Sequence, residues 1–292
     1  MVENSEKVLQ WMFETKALRI SPADKPFWYT SGTIGPYYIN THFLYGSEEK
    51  ANELLSFIDD KKDDINSFPV ELSKRLWQNY TSDAIYKQLV DEMCKFIKDN
   101  IDLDKVDYIS GGERRDWFFS LLPAKLLNKP HLVIYKDLTV HEFFGDEVRK
   151  VNDIEGKSVL HIADLITEAS SYERAWIPAV KNINGNIRWS VVVVDRKQGG
   201  RELLEKHGID LYSMIEIGKD TFKKALEVGL INSEQYRVIS DFIDDPKGSM
   251  RNFLLSHPEF LKNSLNAGGK EAERAKLCIE KNVYGIDMSK IE

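Results

Sequence analysis

The residues best suited to chemistry lie together in the stretch 156–176. Asp164 closes a short apolar run, Val159 to Ile162, and is followed by Thr167, Glu168, Ala169, Ser170 and Ser171. Tyr172, Trp176 and Val180 then recur at roughly helical spacing. The order is strand, polar turn, helix, with the carboxylate of Asp164 ending the strand and three hydroxyls in the turn. In open α/β sheets ligands bind there, because the next helix starts with unpaired N–H groups aimed outward. The hydroxyls of Thr167, Ser170 and Ser171 suit phosphate oxygens. The plainer alternative is an ordinary turn in which Ser170 or Ser171 caps the helix.

The elements that must hold this turn follow from length and pattern. At 292 residues the chain has material for one large domain or two small ones, and 42% hydrophobic with 30% charged residues describes a soluble globular protein. A net charge of −7 argues against a general nucleic-acid binder, which needs a basic face. Cys94 and Cys278 are too few and too far apart for a disulfide framework or a zinc site, so a reducing cytoplasm is expected. The first ten residues are charged and lack the apolar core of a signal peptide, and no run of 18 apolar residues offers a membrane span.

Residues 5–20 have the apolar spacing of a helix face at Val8, Leu9, Met12, Phe13 and Leu18. The aromatic, Pro- and Gly-broken stretch 25–40 follows, including Ser31-Gly32-Thr33-Ile34-Gly35-Pro36-Tyr37-Tyr38. It predicts either a loop placing Ser31, Gly32 and Tyr38 near a cleft or aromatics plugging a core. The charged segment 47–64 predicts a solvated helix end or loop, and Leu72 to Ile97 keeps helical spacing, so 46–105 is expected as a helical insertion. From Val106 strand, turn and helix alternate: Val106–Ser110, the turn Gly111-Gly112-Glu113-Arg114-Arg115-Asp116, a helix over 117–127 and a strand over 132–135. Beyond the organising stretch come a strand over 187–194, the segment Asp195-Arg196-Lys197-Gln198-Gly199-Gly200-Arg201, a helix over 202–207 and a strand over 211–217. This alternation predicts an α/β fold, a mostly parallel twisted sheet flanked by helices. Residues 137–148 show no clear periodicity and predict a docking loop, and 218–292 a helical C-terminal extension with helices near 222–230, 236–243 and 272–279.

Several of these turns together resemble the orotate phosphoribosyltransferase family, within the type I phosphoribosyltransferases. Residues 31–38 resemble its SG-x-x-SP-[YF]-[YF] segment, and 195–201 its DR-x-[EQ]-GGR motif. Residues 111–137 resemble the stretch from its diphosphate loop to its mobile catalytic loop, and 159–170 its phosphoribosyl diphosphate motif. The resemblance covers roughly 25–45 and 106–217. It implies a type I phosphoribosyltransferase-like core over 106–217, with 1–45 as a helix and a hood over the base. It implies a transferase acting on phosphoribosyl diphosphate and a nucleobase, orotate foremost, with Mg²⁺ bridging the diphosphate and no direct protein metal site. Arg115 is then the cation on the diphosphate, Asp164 holds ribose hydroxyls, and Thr167, Glu168, Ala169, Ser170 and Ser171 cradle the 5′-phosphate. Tyr38, Thr167 and Arg196 read the base, and Lys136 and His141 sit on the mobile loop and act in catalysis with Asp164. The family also implies a cytoplasmic homodimer with small-molecule substrates and neither nucleic-acid nor membrane partners.

The chain differs from the family pattern at five places. The first acidic position of the phosphate motif is Ala163, its glycine is Ala169, and its variable position is Glu168. The essential loop lysine falls on Thr139, and a lysine before the SG pair on Thr30. Three functions are therefore weighed: an active phosphoribosyltransferase, a catalytically weak relative that binds a nucleotide or phosphoribosyl ligand as a sensor or regulator, and a structural scaffold.

Overall fold

The computed structural model describes residues 2–286. In chain order the elements are α1 (Val2–Glu14), β1 (Leu18–Ile20), β2 (Phe27–Trp28), β3 (Ile34–Gly35), β4 (Tyr37–Ile39), α2 (Glu48–Lys61), α3 (Phe68–Ser82) and α4 (Ala84–Asn100). Then come β5 (Tyr108–Gly112), α5 (Trp117–Leu126), β6 (His131–Ile134), β7 (Val140–Phe144), β8 (Glu147–Lys150) and β9 (Ser158–Ile166). A π-helical turn over Tyr172–Trp176 leads into α6 (Ile177–Asn182), followed by β10 (Asn186–Asp195), α7 (Gly200–Lys206) and β11 (Asp210–Glu216). The last elements are α8 (Lys219–Glu227), α9 (Ser233–Asp244), α10 (Pro246–Ser256), α11 (Pro258–Asn266) and α12 (Gly269–Glu280). Among the described residues no helix is long and apolar enough to cross a membrane. Both cysteines are buried free thiols.

These residues divide into two compact units, one of 2–17 with 40–217 and one of 18–39 with 218–286. The segment 1–45, expected as one piece, is thus shared between them. Leu18, expected on the first helix, lies on β1, because the helix stops at Glu14 and Lys16 turns the chain with a φ of 61°.

The first unit is built on a seven-stranded sheet in the order β11-β10-β9-β5-β6-β7-β8. β11, β10, β9, β5 and β6 run parallel, and β7 and β8 are antiparallel at the edge. From β5 the chain moves one way to β6, then returns beyond β5 to β9 and continues the other way. Right-handed crossovers therefore put α5 on one face and α6 and α7 on the other. The order reverses between β5 and β9, and the loops after these two strands open at the carboxyl edge of the sheet, where such folds bind ligands. Helix α5 is apolar nearly all round, as a helix buried on every side must be, and Trp117 to Ala124 are all buried. On the opposite face Trp176, Ile177, Val180 and Leu204 pack on Val159, Ala163 and Val192.

Three expectations change on this frame. Gly111 and Gly112 end β5 rather than form a turn, and packing demands them: a Cβ on Gly112 would lie 2.2 Å from the Trp176 ring and one on Gly111 2.1 Å from Ser120 Oγ. Strand β9 runs on to Ile166, so Asp164 is a strand residue. The expected loop over 137–148 is mostly the β7–β8 hairpin, laddered onto β6 from His131–Phe143 to Ile134–Val140. Its pattern hides because Val140 to Phe143 are buried on both faces, so apolar and polar residues do not alternate. The charged segment after Ser47 is helix α2; Ser47 caps it by accepting the Lys50 N–H, and Ala51, Leu54, Leu55 and Ile58 are its buried face.

In the second unit β1 pairs antiparallel with β4, β2 with β3, and α8 to α12 supply the rest. The aromatics of 25–40 plug this core. Tyr37 packs on Phe222 and Phe242, with centroids at 5.1 and 5.7 Å, and Trp28 stacks on Phe260 at 5.7 Å. Helices α10 and α11 were not foreseen, although Asp245-Pro246 is a cap and first-turn signal; Asp245 accepts the Gly248 N–H.

The GGR segment shows why its glycines sit where they do. Gly200 N–H donates to the Thr167 carbonyl at 2.9 Å, and a Cβ there would lie 2.7 Å from that oxygen and 2.6 Å from Ile166 Cγ1. Gly200→Ala forces the two loops apart. It is expected to cost about 1–3 kcal/mol, the range for overpacking, seen as a lower denaturant midpoint with an unchanged slope.

Candidate active site

β5 and β9 pair over three positions only, from Tyr108–Val159 to Ser110–His161. Beyond them the side chain of Asp116 takes up backbone donors of both strands. Its Oδ2 accepts the Gly112 N–H at 3.2 Å and its Oδ1 the Asp164 N–H at 3.1 Å. Behind it lies a buried polar line. His161, on β9, has Nδ1 at 2.9 Å from Ser110 Oγ and Nε2 at 3.6 Å from Asp116 Oδ2. The ring is held between Tyr172, edge-on at 5.0 Å, and Trp176, stacked at 6.1 Å.

A cleft of about 350 Å³ opens above this junction. It brings together Arg115, Lys136, Asp164, Thr167, Glu168, Ala169, Ser170 and Ser171, all expected from the sequence. Glu113, Arg114, Asp116, Tyr172 and Trp176, to which the sequence reading gave no role, complete the wall. The charged run Glu113 to Asp116 directly after two glycines was the available signal. His141 and Arg196 are not on the wall. Tyr38 belongs to the second unit, on β4 opposite Arg19.

His141 is not on a mobile loop. It is a buried strand residue between Val133 and Lys150, its ring edge-on to Tyr135 at 5.7 Å. Burial and the Lys150 ammonium push its imidazole below the usual range, so it carries no charge at neutral pH. Thr139 lies in the tight turn between β6 and β7 and donates its hydroxyl to Asp137 Oδ1 at 2.7 Å. Lys136 reaches the cleft, its N–H given to Glu113 Oε2 at 3.1 Å and its Nζ 3.8 Å from Oε1.

The cations differ in availability. Arg114 is paired with Asp59 of α2, and Lys62, the residue that ends this helix, binds Glu113 at 2.7 Å. The insertion thus grips the turn after β5. Arg115 is exposed, and among the described residues its side chain has no hydrogen bond or ion pair. Its guanidinium contributes to holding the buried His42 imidazole down at about 3, behind burial itself. Arg196 follows β10; its N–H donates to the Ile166 carbonyl at 3.0 Å, and its Nε is buried without a hydrogen-bond partner among the described residues. Asp195, also at the end of β10, accepts the Lys197 N–H at 2.7 Å and lies 3.3 Å from Arg201 Nη2, so the ends of this motif brace one another.

The turn after β9 is strained at one point. Ala169 has a φ of 57°, a region that costs a residue with a Cβ about 1–2 kcal/mol. A glycine, as in the family pattern, would sit there freely. Glu168 is exposed on the rim.

Burial and the neighbouring Asp116 carboxylate hold the Asp164 carboxyl well above the usual carboxylate range, with Arg115 opposing them. The folded protein therefore keeps a proton at Asp164 that the unfolded chain loses near pH ~4. Where the folded state binds more protons, stability falls as pH rises. Unfolding free energy is expected to decline from about pH 4 upward toward neutrality through this group, and Asp164→Asn to flatten the decline. Denaturant titrations at several pH values read it; equal slopes in parent and variant would show that Asp164 ionises normally.

No family model matches the chain. The orotate phosphoribosyltransferase of Sulfolobus acidocaldarius is 29% identical over 126 residues, 43% of this chain and 61% of that protein. That of Methanopyrus kandleri is 35% identical over 72 residues, 25% of this chain and 39% of the relative. Both matches span less than two thirds of the relative. At 24% identity the orotate phosphoribosyltransferase of Staphylothermus marinus aligns over 251 residues, 84% of this chain and 100% of its own length. Among solved structures, UMP synthase of Leishmania donovani superposes on 82% of this chain and 42% of its own, with a TM-score of 0.54 and 16% identity, a likeness of fold. The chain has the α/β fold of the phosphoribosyltransferases, with added helices, and is a distant homologue of the orotate phosphoribosyltransferase family.

Proposed function

We propose that the protein is a phosphoribosyltransferase that binds phosphoribosyl diphosphate in the cleft between β5 and β9 and transfers ribose 5-phosphate to a nucleobase, orotate foremost. The observation that carries this reading is the unpaired Arg115 on the same wall as Asp164 and the 167–171 turn. A guanidinium with no hydrogen-bond or ion-pair partner among the described residues, a carboxyl and a hydroxyl-bearing turn match a diphosphate, a ribose and a terminal phosphate.

The wall also carries Glu113, Asp116, Asp164 and Glu168. Glu113 is spent on Lys62 and Arg114 on Asp59, which leaves Arg115 and Lys136 to meet an anionic ligand. Among the described residues no group of three metal-binding side chains can hold an ion alone. Mg²⁺ would then be held through the ligand's own diphosphate and ribose oxygens, as the resemblance implies, rather than by a protein site. When bound, Mg²⁺ offsets the negative charge of the diphosphate as it leaves. The chain's own residues orient and stabilise: Arg115 and Lys136 take diphosphate oxygens, Asp164 fixes a ribose hydroxyl, and the 167–171 turn anchors the 5-phosphate. The C1–O bond breaks with its electron pair going to diphosphate, and a deprotonated ring nitrogen of the base closes the C1–N bond. By resemblance Arg196 is the base-reading cation, with Thr167, and an anionic base suits it. A cytoplasmic homodimer acting on small molecules belongs to the same proposal.

Calorimetry with phosphoribosyl diphosphate and Mg²⁺, followed by assay across pyrimidine and purine bases, tests this. Arg115→Ala is expected to weaken phosphoribosyl diphosphate binding by about 1.5–3 kcal/mol, the loss of one charge-assisted contact. Undiminished binding would remove the turn from the diphosphate site.

One observation favours the weaker-enzyme reading: the segment after β6 is a laddered hairpin with an uncharged His141 and a Thr139 committed to Asp137. Lys136, just before the hairpin, is then the cation of this segment that lines the cleft and can meet the leaving group. Single-turnover rates are expected to fall by about ten- to a hundred-fold in Lys136→Ala, or ~1.4–2.7 kcal/mol of barrier, and to change little in Thr139→Lys. A large gain in Thr139→Lys with an indifferent Lys136→Ala would reverse that assignment. Binding without turnover to any base would make the protein a phosphoribosyl sensor.

A further inference from the structure

Asp116 is 7% exposed, yet it lines the cleft. Its carboxylate has two backbone N–H donors, and among the described residues no lysine or arginine lies within ion-pair distance of it. His161 Nε2 lies 3.6 Å from it, a fully buried atom with no hydrogen-bond partner among the described residues. Each carboxylate oxygen accepts more than one hydrogen bond, so both keep capacity toward the cleft. Asp164 stands beside it, its own N–H given to Asp116 Oδ1. Two carboxyls side by side repel when both are ionised, and a ligand that brings adjacent proton donors relieves this. A vicinal diol brings two hydroxyls at the spacing of neighbouring carbons. Position 163, next to Asp164 on the strand, is alanine and offers nothing.

We propose that Asp116 is a second ribose-binding residue, reaching from the turn before α5 to share the vicinal hydroxyls of a ribose 5-phosphate with Asp164. The proposal rests on the phosphoribosyl reading of the cleft and adds a residue from a different strand-end than the one carrying Asp164. The site is thus split across the β5–β9 junction, and the same carboxylate that joins the two strands senses the sugar between them.

The test is calorimetry of the full chain with ribose 5-phosphate and with inorganic phosphate, in chelator so that no divalent ion takes part. Asp116→Asn is expected to weaken ribose 5-phosphate by tenfold or more and to leave inorganic phosphate within about twofold, the scatter allowed for context. Adding Ala163→Asp to Asp116→Asn is expected to restore most of the lost affinity, a rescue that a purely structural role for Asp116 does not give. Asp116→Asn also gives up one acceptor for a backbone N–H, so a variant that keeps it serves as control. In Ala163→Asp alone, with Asp116 intact, a third carboxyl is redundant and ribose 5-phosphate affinity is expected to stay level or fall. A tenfold gain in that variant, or a parent-like Asp116→Asn, overturns the proposal while leaving the phosphoribosyl reading intact. A parent that binds neither ribose 5-phosphate nor phosphoribosyl diphosphate overturns both.

Discussion

The short pairing of β5 with β9 is the constraint on which the rest of the first unit depends. These strands sit where the sheet reverses its order, and their ladder stops after Ser110–His161. Were it to continue, the sheet would close at its carboxyl edge and no cleft would form. Because it stops, the backbone N–H groups of Gly112 and Asp164 need acceptors, and a buried group left without one costs about 1–3 kcal/mol. Asp116 meets both with one side chain. The glycine pair on β5 then lets Trp176 and Ser120 close in from the two faces. Opening and bracing are one arrangement.

Charge follows from that arrangement. A carboxylate used as a backbone acceptor brings a full negative charge to a cleft whose ligands, on the phosphoribosyl reading, are anions. The chain answers with two cations on the wall that are not fully committed and with a proton retained at Asp164. Helix α2 takes part as well: Lys62 holds Glu113 and Asp59 holds Arg114, which fixes two of the four charged side chains of the turn and leaves Arg115 outward. Two lysines on one glutamate also keep that carboxylate occupied rather than turned toward a phosphate. The insertion thus supports the site from behind.

Much of this was legible in the sequence where a single physical cause acts locally. The apolar runs of β6, β9 and β10 announce buried parallel strands, and the hydroxyls after Ile166 announce a turn. What escaped depends on partners far along the chain. No local rule says that Gly112 is a strand residue until Trp176 is known to lie against it. Asp116 looked like one more charge in a turn because its donors, Gly112 and Asp164, are brought to it only by the fold. The hairpin over 140–150 failed for a different reason: with Val140 to Phe143 buried on both sides, the period of two that betrays a half-exposed strand is absent. The roles that the resemblance implies for His141 and for the loop lysine at Thr139 belong to a loop that here is a strand at His141 and a tight turn at Thr139.

The second unit joins a short early segment to a long late one, and this bears on how the chain comes to be folded during synthesis. Trp28 donates its indole N–H to Ser264, 236 residues on, and the Ile34 N–H is taken by Tyr284, 250 residues on. At ribosomal speeds of about 5–20 residues per second, these partners emerge on the order of ten to fifty seconds apart. For that interval Trp28 and Ile34 lack these partners, while every strand of the large sheet, through Glu216, emerges ahead of Ser264 and Tyr284. The nascent chain therefore carries a sticky aromatic strip past a finished sheet. Loop-closure entropy makes such distant pairings slow. The order of events is written into the chain: the cleft-bearing unit can settle first, and the ends of the second unit meet last.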